Sequence, residues 1–142
     1  MKQVTVVYWS GTGNTELMAK AVAEGAKSAG ATVKLLSVED ASPEEVLAAD
    51  AIALGCPAMG DEVLEESFMD PFVEALEGQG IEGAALALFG SYDWGDGRWM
   101  REWEERITEH KAKVVGTLII HNTPDEEGLA ECRTLGEKLA AQ

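Results

Sequence analysis

Apolar residues in this chain follow two rhythms. Short, almost unbroken runs, such as AIALG at 51–55 and ALALFG at 85–90, alternate with longer stretches where apolar positions recur every three or four residues. A short continuous run marks a strand covered on both faces, and the three-to-four spacing marks a helix with one buried side. The pattern predicts strands over Val4–Trp9, Thr32–Ser37, Ala51–Gly55, Ala84–Gly90 and Val114–Ile120. It predicts helices roughly over Thr15–Ala29, Pro43–Ala48, Glu65–Ala75, Trp99–Lys111 and Glu126–Ala141. Leu17, Met18, Ala21 and Val22 supply the sheet-facing side of the first helix.

Punctuation supports these boundaries. Ser42-Pro43-Glu44-Glu45 offers an N-cap, a proline in the first turn and a glutamate at the capping-box position. Gly30 stands just beyond the first helix, where a left-handed C-cap is common. Gly78-Gln79-Gly80 reads as a loop before the fourth strand. Strict alternation of strand and helix implies an α/β architecture: a parallel sheet with helices on both faces. No repeat, low-complexity tract or linker interrupts residues 1–142, which read as one domain.

Ligands of such sheets sit beyond the carboxyl ends of the strands, where the strand order reverses. In a 2-1-3-4-5 order that place lies between the first and third strands, with the fourth alongside. The loops that meet there carry most of the unusual residues of the chain. After the first strand comes Ser10-Gly11-Thr12-Gly13-Asn14-Thr15. Its glycines let the backbone approach a ligand closely, the following helix start presents free N–H groups, and Ser10, Thr12, Asn14 and Thr15 add neutral donors. The lysine of a Walker loop is absent and the spacing is not G-x-G-x-x-G, so a phosphate held here is cargo rather than a group in transfer.

After the third strand comes Cys56-Pro57-Ala58-Met59-Gly60-Asp61-Glu62. Met59-Gly60-Asp61-Glu62 suits a tight turn, and Met59 is a flexible apolar contact for a flat ring. After the fourth comes Ser91-Tyr92-Asp93-Trp94-Gly95-Asp96-Gly97, where Trp94 among small residues suits stacking on an aromatic ligand. Trp99 and Trp103, one helical turn apart, read as core, and Trp9 at a strand end reads as packing.

Composition narrows the function. Asp and Glu number 26 against 11 Lys and Arg, a net charge of −15, which disfavours nucleic acid and anionic membranes and favours basic partners. Glu62, Glu66, Asp70 and Glu74 recur every four residues and read as a docking face for such partners. Cys56 and Cys132 form no C-x-x-C, and His110 and His121 have no ligand-like neighbours, so neither a disulfide, a thiol redox motif nor a metal site is expected. The start MKQVTVVYW reads as a strand rather than a signal peptide, and no apolar window approaches the ~18 residues of a membrane span. No nucleophile–base pair is present, so no catalytic residue is expected, and a cytoplasmic setting fits the whole.

SGTGNT after the first strand, CPAMGDE after the third and FGSYDWGDG after the fourth resemble a short-chain flavodoxin, and the resemblance runs on to NTPDE after the fifth. It implies a flavodoxin-like doubly wound five-stranded parallel sheet of order 2-1-3-4-5 with non-covalently bound FMN. It implies a low-potential one-electron carrier, working mainly between neutral semiquinone and anionic hydroquinone, with no substrate turnover of its own. The alternative on the same fold is an FMN-dependent quinone reductase. Implied partners are ferredoxin/flavodoxin reductases and low-potential oxidoreductases with basic docking surfaces, met by a monomer.

The resemblance also implies residue roles. Ser10, Gly11, Thr12, Gly13, Asn14 and Thr15 hold the phosphate. Met59 and Trp94 lie on opposite faces of the isoalloxazine, within loops completed by Pro57, Ala58, Ser91, Tyr92, Asp93 and Gly95. The Gly60–Asp61 peptide turns over on one-electron reduction, Glu62 binds the N3 edge of the ring and Asn122 adds a contact. Two positions depart from the pattern: Pro57 offers neither N–H nor hydroxyl, and Asp93 stands where close relatives often have glycine.

Overall fold

A computed structural model describes residues 2–142; Met1, the first residue of the expected 1–142 span, lies outside the described residues. The two rhythms of the sequence resolve into five parallel strands, β1 (Gln3–Tyr8), β2 (Thr32–Ser37), β3 (Ala51–Gly55), β4 (Ala85–Tyr92) and β5 (Lys113–His121), in the order β2-β1-β3-β4-β5. Four helices connect them, α1 (Asn14–Ser28), α2 (Pro43–Leu47), α3 (Met69–Gln79) and α4 (Arg98–Glu109), and α5 (Glu126–Ala140) follows β5. A 3₁₀ turn over Val38–Asp40, not read from the sequence, precedes α2.

Along Ala51–Leu54 and Ala85–Leu88 the pleat sorts side chains by size, and Phe89 is the bulky exception on the small-residue side. Ile52, Leu54, Leu86 and Leu88 face one side, where Phe72, Val73 and Leu76 of α3 and Trp99, Trp103 and Ile107 of α4 complete a core. Ala51, Ala53 and Ala87 face the other side, beneath Met18 and Val22 of α1 and Leu135 and Leu139 of α5. On that alanine-lined side α1 and α5 touch backbone to backbone. A Cβ added at Gly25 would lie 2.0 Å from the Arg133 carbonyl oxygen, and one at Gly136 would lie 2.0 Å from that of Val22.

Several boundaries differ from the sequence expectation. β1 runs Gln3–Tyr8 rather than to Trp9, and Ser91 and Tyr92, expected in a loop, are the last residues of β4. α3 starts at Met69, not Glu65, because the Glu65 carboxylate accepts from the N–H groups of Ser67, Phe68 and Met69 and so caps the helix from outside. At its far end α3 absorbs Gly78 and Gln79, and Gly80, at φ 105°, ends it. Glu66 therefore precedes the helix as Glu62 does, and of the four acids read as a docking face only Asp70 and Glu74 lie on α3. Leu17, expected against the sheet, is 43% exposed. Ser42 caps α2 as expected, but Glu45 gives no reciprocal bond and instead accepts from Lys34.

Charge is used between helices. Arg106 of α4 binds Glu77 through two nitrogens at 2.8 and 2.9 Å and Asp70 at 2.6 Å, joining α4 to α3. The Glu77 hydrogen bonds raise the guanidinium's affinity for its proton. Cys56 and Cys132 are free and buried, and burial pushes each thiol up to about 12, which removes the reactive thiolate. No helix among the described residues is long and apolar enough to cross a membrane.

Two glycines on helices separate packing from propensity. Gly136→Ala forces a methyl into the Val22 carbonyl and is expected to cost about 3 kcal/mol, near the upper end for overpacking. Gly78→Ala, with nothing within 4 Å of the added atom, is expected to gain ~0.5–1 kcal/mol from helix propensity. Urea denaturation midpoints moving in opposite directions check both, and a neutral Gly136→Ala would contradict the backbone contact.

Candidate functional site

β1 delivers its last residues to the rim of the sheet, and the chain turns through Ser10–Gly13 into α1. Ser10 Oγ accepts from the N–H of Gly13 at 3.1 Å and of Glu16 at 3.3 Å, steadying the first turn. Gly13, at φ 98°, is the left-handed residue that lets the strand enter the helix so abruptly. The backbone N–H groups of Thr12, Asn14 and Thr15 have no partner among the described residues. They form a concave set of donors at the positive end of the α1 dipole. The hydroxyl of Thr15 is itself occupied: it lies 3.0 Å from Ser91 Oγ and accepts from the Ser91 N–H, tying this loop to the end of β4. Asn14 Oδ1 accepts from Thr123, which leaves its amide N–H groups uncommitted.

β3 ends at Gly55, and Cys56 to Ala58 stay close to β4, with the Ala58 N–H donating to Ser91 O. Met59 and Val63 exchange reciprocal backbone bonds of 2.9 Å, closing a tight loop with Gly60 at φ 47° and Glu62 at φ 55°. At its tip the Gly60 carbonyl has no partner among the described residues, whereas the Asp61 carbonyl accepts from Arg98 Nη2 at 2.7 Å. Glu62 is 7% exposed, and its Oε1 accepts from the N–H groups of Gly97 and Arg98 at 3.1 Å each. The carboxylate thus caps α4 and joins the two loops. Gly95 has to be glycine there, since a Cβ would lie 2.4 Å from that carboxylate.

The β4–α4 loop closes the site. Tyr92 is held between Trp99, at 5.9 Å between ring centroids, and His121, at 5.1 Å. Trp94 is 58% exposed. Asp96 pairs with Arg101, whose hydrogen bond holds its carboxyl below the usual carboxylate range.

Between these loops opens a cavity of about 380 Å³ lined by Trp9, Gly11, Thr12, Asn14, Pro57, Ala58, Met59, Ser91, Tyr92, Asp93 and Asn122. Ten of the expected site residues therefore meet at one place. Ser10, Gly13, Thr15, Gly60, Asp61, Glu62, Trp94 and Gly95 do not line it; they shape the backbone of its loops or stand at its rim. Trp9 packs against the core as the sequence reading has it and is also a wall of the cavity, a second role for which its position next to Ser10 was the signal available. His121, exposed at the end of β5, hydrogen-bonds the Asp93 carbonyl. Asn122 sits in the left-handed region, at φ 59°.

The donor set has a definite chemistry. Unpaired backbone N–H groups and neutral side chains at a helix start suit a phosphate, and an apolar slot of Trp9, Ala58, Met59 and Tyr92 suits a flat ring. No Lys or Arg lines the cavity, and Asp93 is the one charged side chain that does. The residues present fit a phosphorylated aromatic cofactor.

Known proteins are similar along almost the whole chain. The family model described as Flavodoxin matches residues 6–136. The chain is 50% identical over 136 residues to the flavodoxin of Clostridium beijerinckii, covering 95% of this chain and 97% of that one. It is 46% identical over 137 residues to the flavodoxin of Megasphaera elsdenii, covering 96% and 98%. The solution structure of two-electron reduced Megasphaera elsdenii flavodoxin superposes with a TM-score of 0.91 at 45% identity, over 98% of this chain and 99% of that one. With fold and sequence in agreement along almost its entire length, the chain belongs to the flavodoxin family, and its cofactor is FMN.

Proposed function

We propose that this electron-carrying flavoprotein works at low potential, one electron at a time, mainly between the neutral semiquinone and anionic hydroquinone of FMN, and turns over no substrate of its own. FMN supplies the redox chemistry, and the chain sets its energy. The observation that carries the reading is the cavity free of cationic side chains beside Asp93. A phosphate lysine would stabilise any negative charge gained on reduction. Backbone N–H groups and hydroxyls hold the phosphate without adding a full positive charge.

The size of the effect is sufficient. One carboxylate at about 10 Å, in an effective dielectric of about 40, costs an added negative charge roughly 0.8 kcal/mol. At ~59 mV per tenfold change in a one-electron equilibrium, that is a few tens of millivolts. Several carboxylates lower the potential by on the order of a hundred millivolts or more, less whatever salt screens.

In this reading Ser10 to Thr15 hold the phosphate, and Met59 and Trp94 flank the ring. The Gly60 carbonyl, without a partner among the described residues, would be placed to accept a hydrogen bond from a protonated flavin N5 if the Gly60–Asp61 peptide turned over. The pinned Asp61 carbonyl confines that movement to one peptide. Glu62, anchored at the start of α4, steadies the turn from behind. The loops after β3 and β4 carry exposed Asp61, Glu66, Asp93 and Asp96 together with the exposed apolar residues Val63, Phe68 and Trp94. A face of that composition suits basic partners in the cytoplasm, such as ferredoxin/flavodoxin reductases and low-potential oxidoreductases.

Anaerobic stepwise reduction of the FMN-loaded protein, followed by visible absorbance, tests the central reading. A blue intermediate accumulating before bleaching is the expected result. Direct passage from yellow to colourless would replace the carrier with a two-electron quinone reductase. Asp93→Gly is expected to raise the second one-electron potential by a few tens of millivolts; an unchanged potential removes Asp93 from the account. Electron transfer to a basic partner is expected to slow as ionic strength rises through ~0.15 M, where the screening length is about 8 Å. Salt-independent rates would remove the docking face.

A further inference from the structure

The loop over the cavity is tethered at its two ends by different devices. At its far end, Gly97 and Arg98 donate to the Glu62 carboxylate. At its near end, the one side-chain bond to the backbone of Asp93 among the described residues comes from His121, whose Nε2 lies 2.9 Å from the Asp93 carbonyl oxygen. Trp94, next in sequence, makes no hydrogen bond or ring contact among the described residues, so its placement depends on the backbone beneath it.

The chemistry of the acceptor fixes the proton. A carbonyl oxygen only accepts, so Nε2 carries the hydrogen and donates it to Asp93. That N–H cannot also accept from Asn122 Nδ2, 3.4 Å away. The Asn122 amide hydrogens are therefore left for the cavity that the residue lines. Asn122 is meanwhile held by its own N–H, which donates to Tyr92 O at 2.8 Å. Tyr92 and His121 form the last register pair between β4 and β5, and their rings are in contact. One imidazole thus holds the cavity-lining Asp93 backbone just beyond β4 and leaves the Asn122 amide just beyond β5 uncommitted to it.

We propose that His121 is a positioning residue for the flavin site: its N–H pre-sets the Asp93–Trp94 segment, so that binding does not have to order the loop. The inference rests on the reading of the cavity as the FMN site. Its energetic basis is preorganisation: a loop that must be ordered when the ligand arrives subtracts that cost from affinity.

Three substitutions separate the N–H from the ring. His121→Gln keeps a donor at similar reach and loses the aromatic contact. His121→Phe keeps the ring and loses the donor. His121→Ala loses both. The apoproteins are titrated with FMN by flavin fluorescence quenching, and their urea midpoints are measured in parallel. Loss of one hydrogen bond that positions the loop is expected to weaken FMN about tenfold in His121→Phe and His121→Ala. His121→Gln is expected to restore binding to within about threefold of the parent, the remainder being the lost ring contact. Midpoints of the apoproteins are expected to agree, because His121 is exposed. His121→Phe binding like the parent, or His121→Gln binding as weakly as His121→Ala, would overturn the assignment. Loss of FMN affinity that follows loss of stability would reduce His121 to ordinary packing. A parent apoprotein that fails to take up FMN would overturn the flavin reading of the cavity together with this inference.

Discussion

The arrangement of this protein depends on how closely α1 lies on α5 and the sheet. A helix whose first N–H groups are to meet an anion has to be aimed, and it can be aimed only if its body is fixed. Here the fixing is done by absence of side chain. Gly25 and Gly136 bring the two helix backbones into direct contact, and Ala51, Ala53 and Ala87 leave the sheet flat enough beneath them. The opposite face takes the bulk of Leu54, Leu86, Leu88, Trp99 and Trp103. Alternating small and large residues along β3 and β4 thus serve two different helix layers with the same two strands. The free end of α1 comes out level with the ends of β3 and β4, where its unpaired N–H groups face the loops.

Charge follows a similar division. The chain is strongly acidic, yet its buried carboxylates are committed to helix starts. Glu65 holds three N–H groups before α3, and Glu62 holds two before α4. Each offsets the cost of its own burial by satisfying donors that a helix start leaves open. The remaining acids are free to act at longer range. Among the described residues that line the cavity, Asp93 is the one charged side chain.

Much of the architecture was legible in the chain because the signals were local. Continuous apolar runs marked the strands, Gly30 and Ser42 marked helix ends, and the loops after the first, third and fourth strands announced themselves through glycines, hydroxyls and isolated aromatics. The helix that begins at Met69 was misplaced because its cap is a carboxylate four residues earlier, and no spacing rule separates a capping glutamate from a first-turn glutamate. Leu17 was assigned inward because helical period gives a face but not its edges. Ser91 and Tyr92 were placed in a loop because a strand that ends in polar and aromatic residues looks like one.

The sequence by itself determined the alternation of elements, the parallel sheet and the set of loops rich in site chemistry, since these follow from periodicity and from the conformational demands of single residues. Tertiary structure alone decided what each of those residues does. Thr15 and Ser91 are 76 positions apart and share a hydroxyl contact, Glu62 caps a helix 36 residues later, and His121 reaches back 28 residues to Asp93. Such pairings depend on which strand ends become neighbours, and that is fixed by packing across the whole sheet rather than by any property of the paired residues.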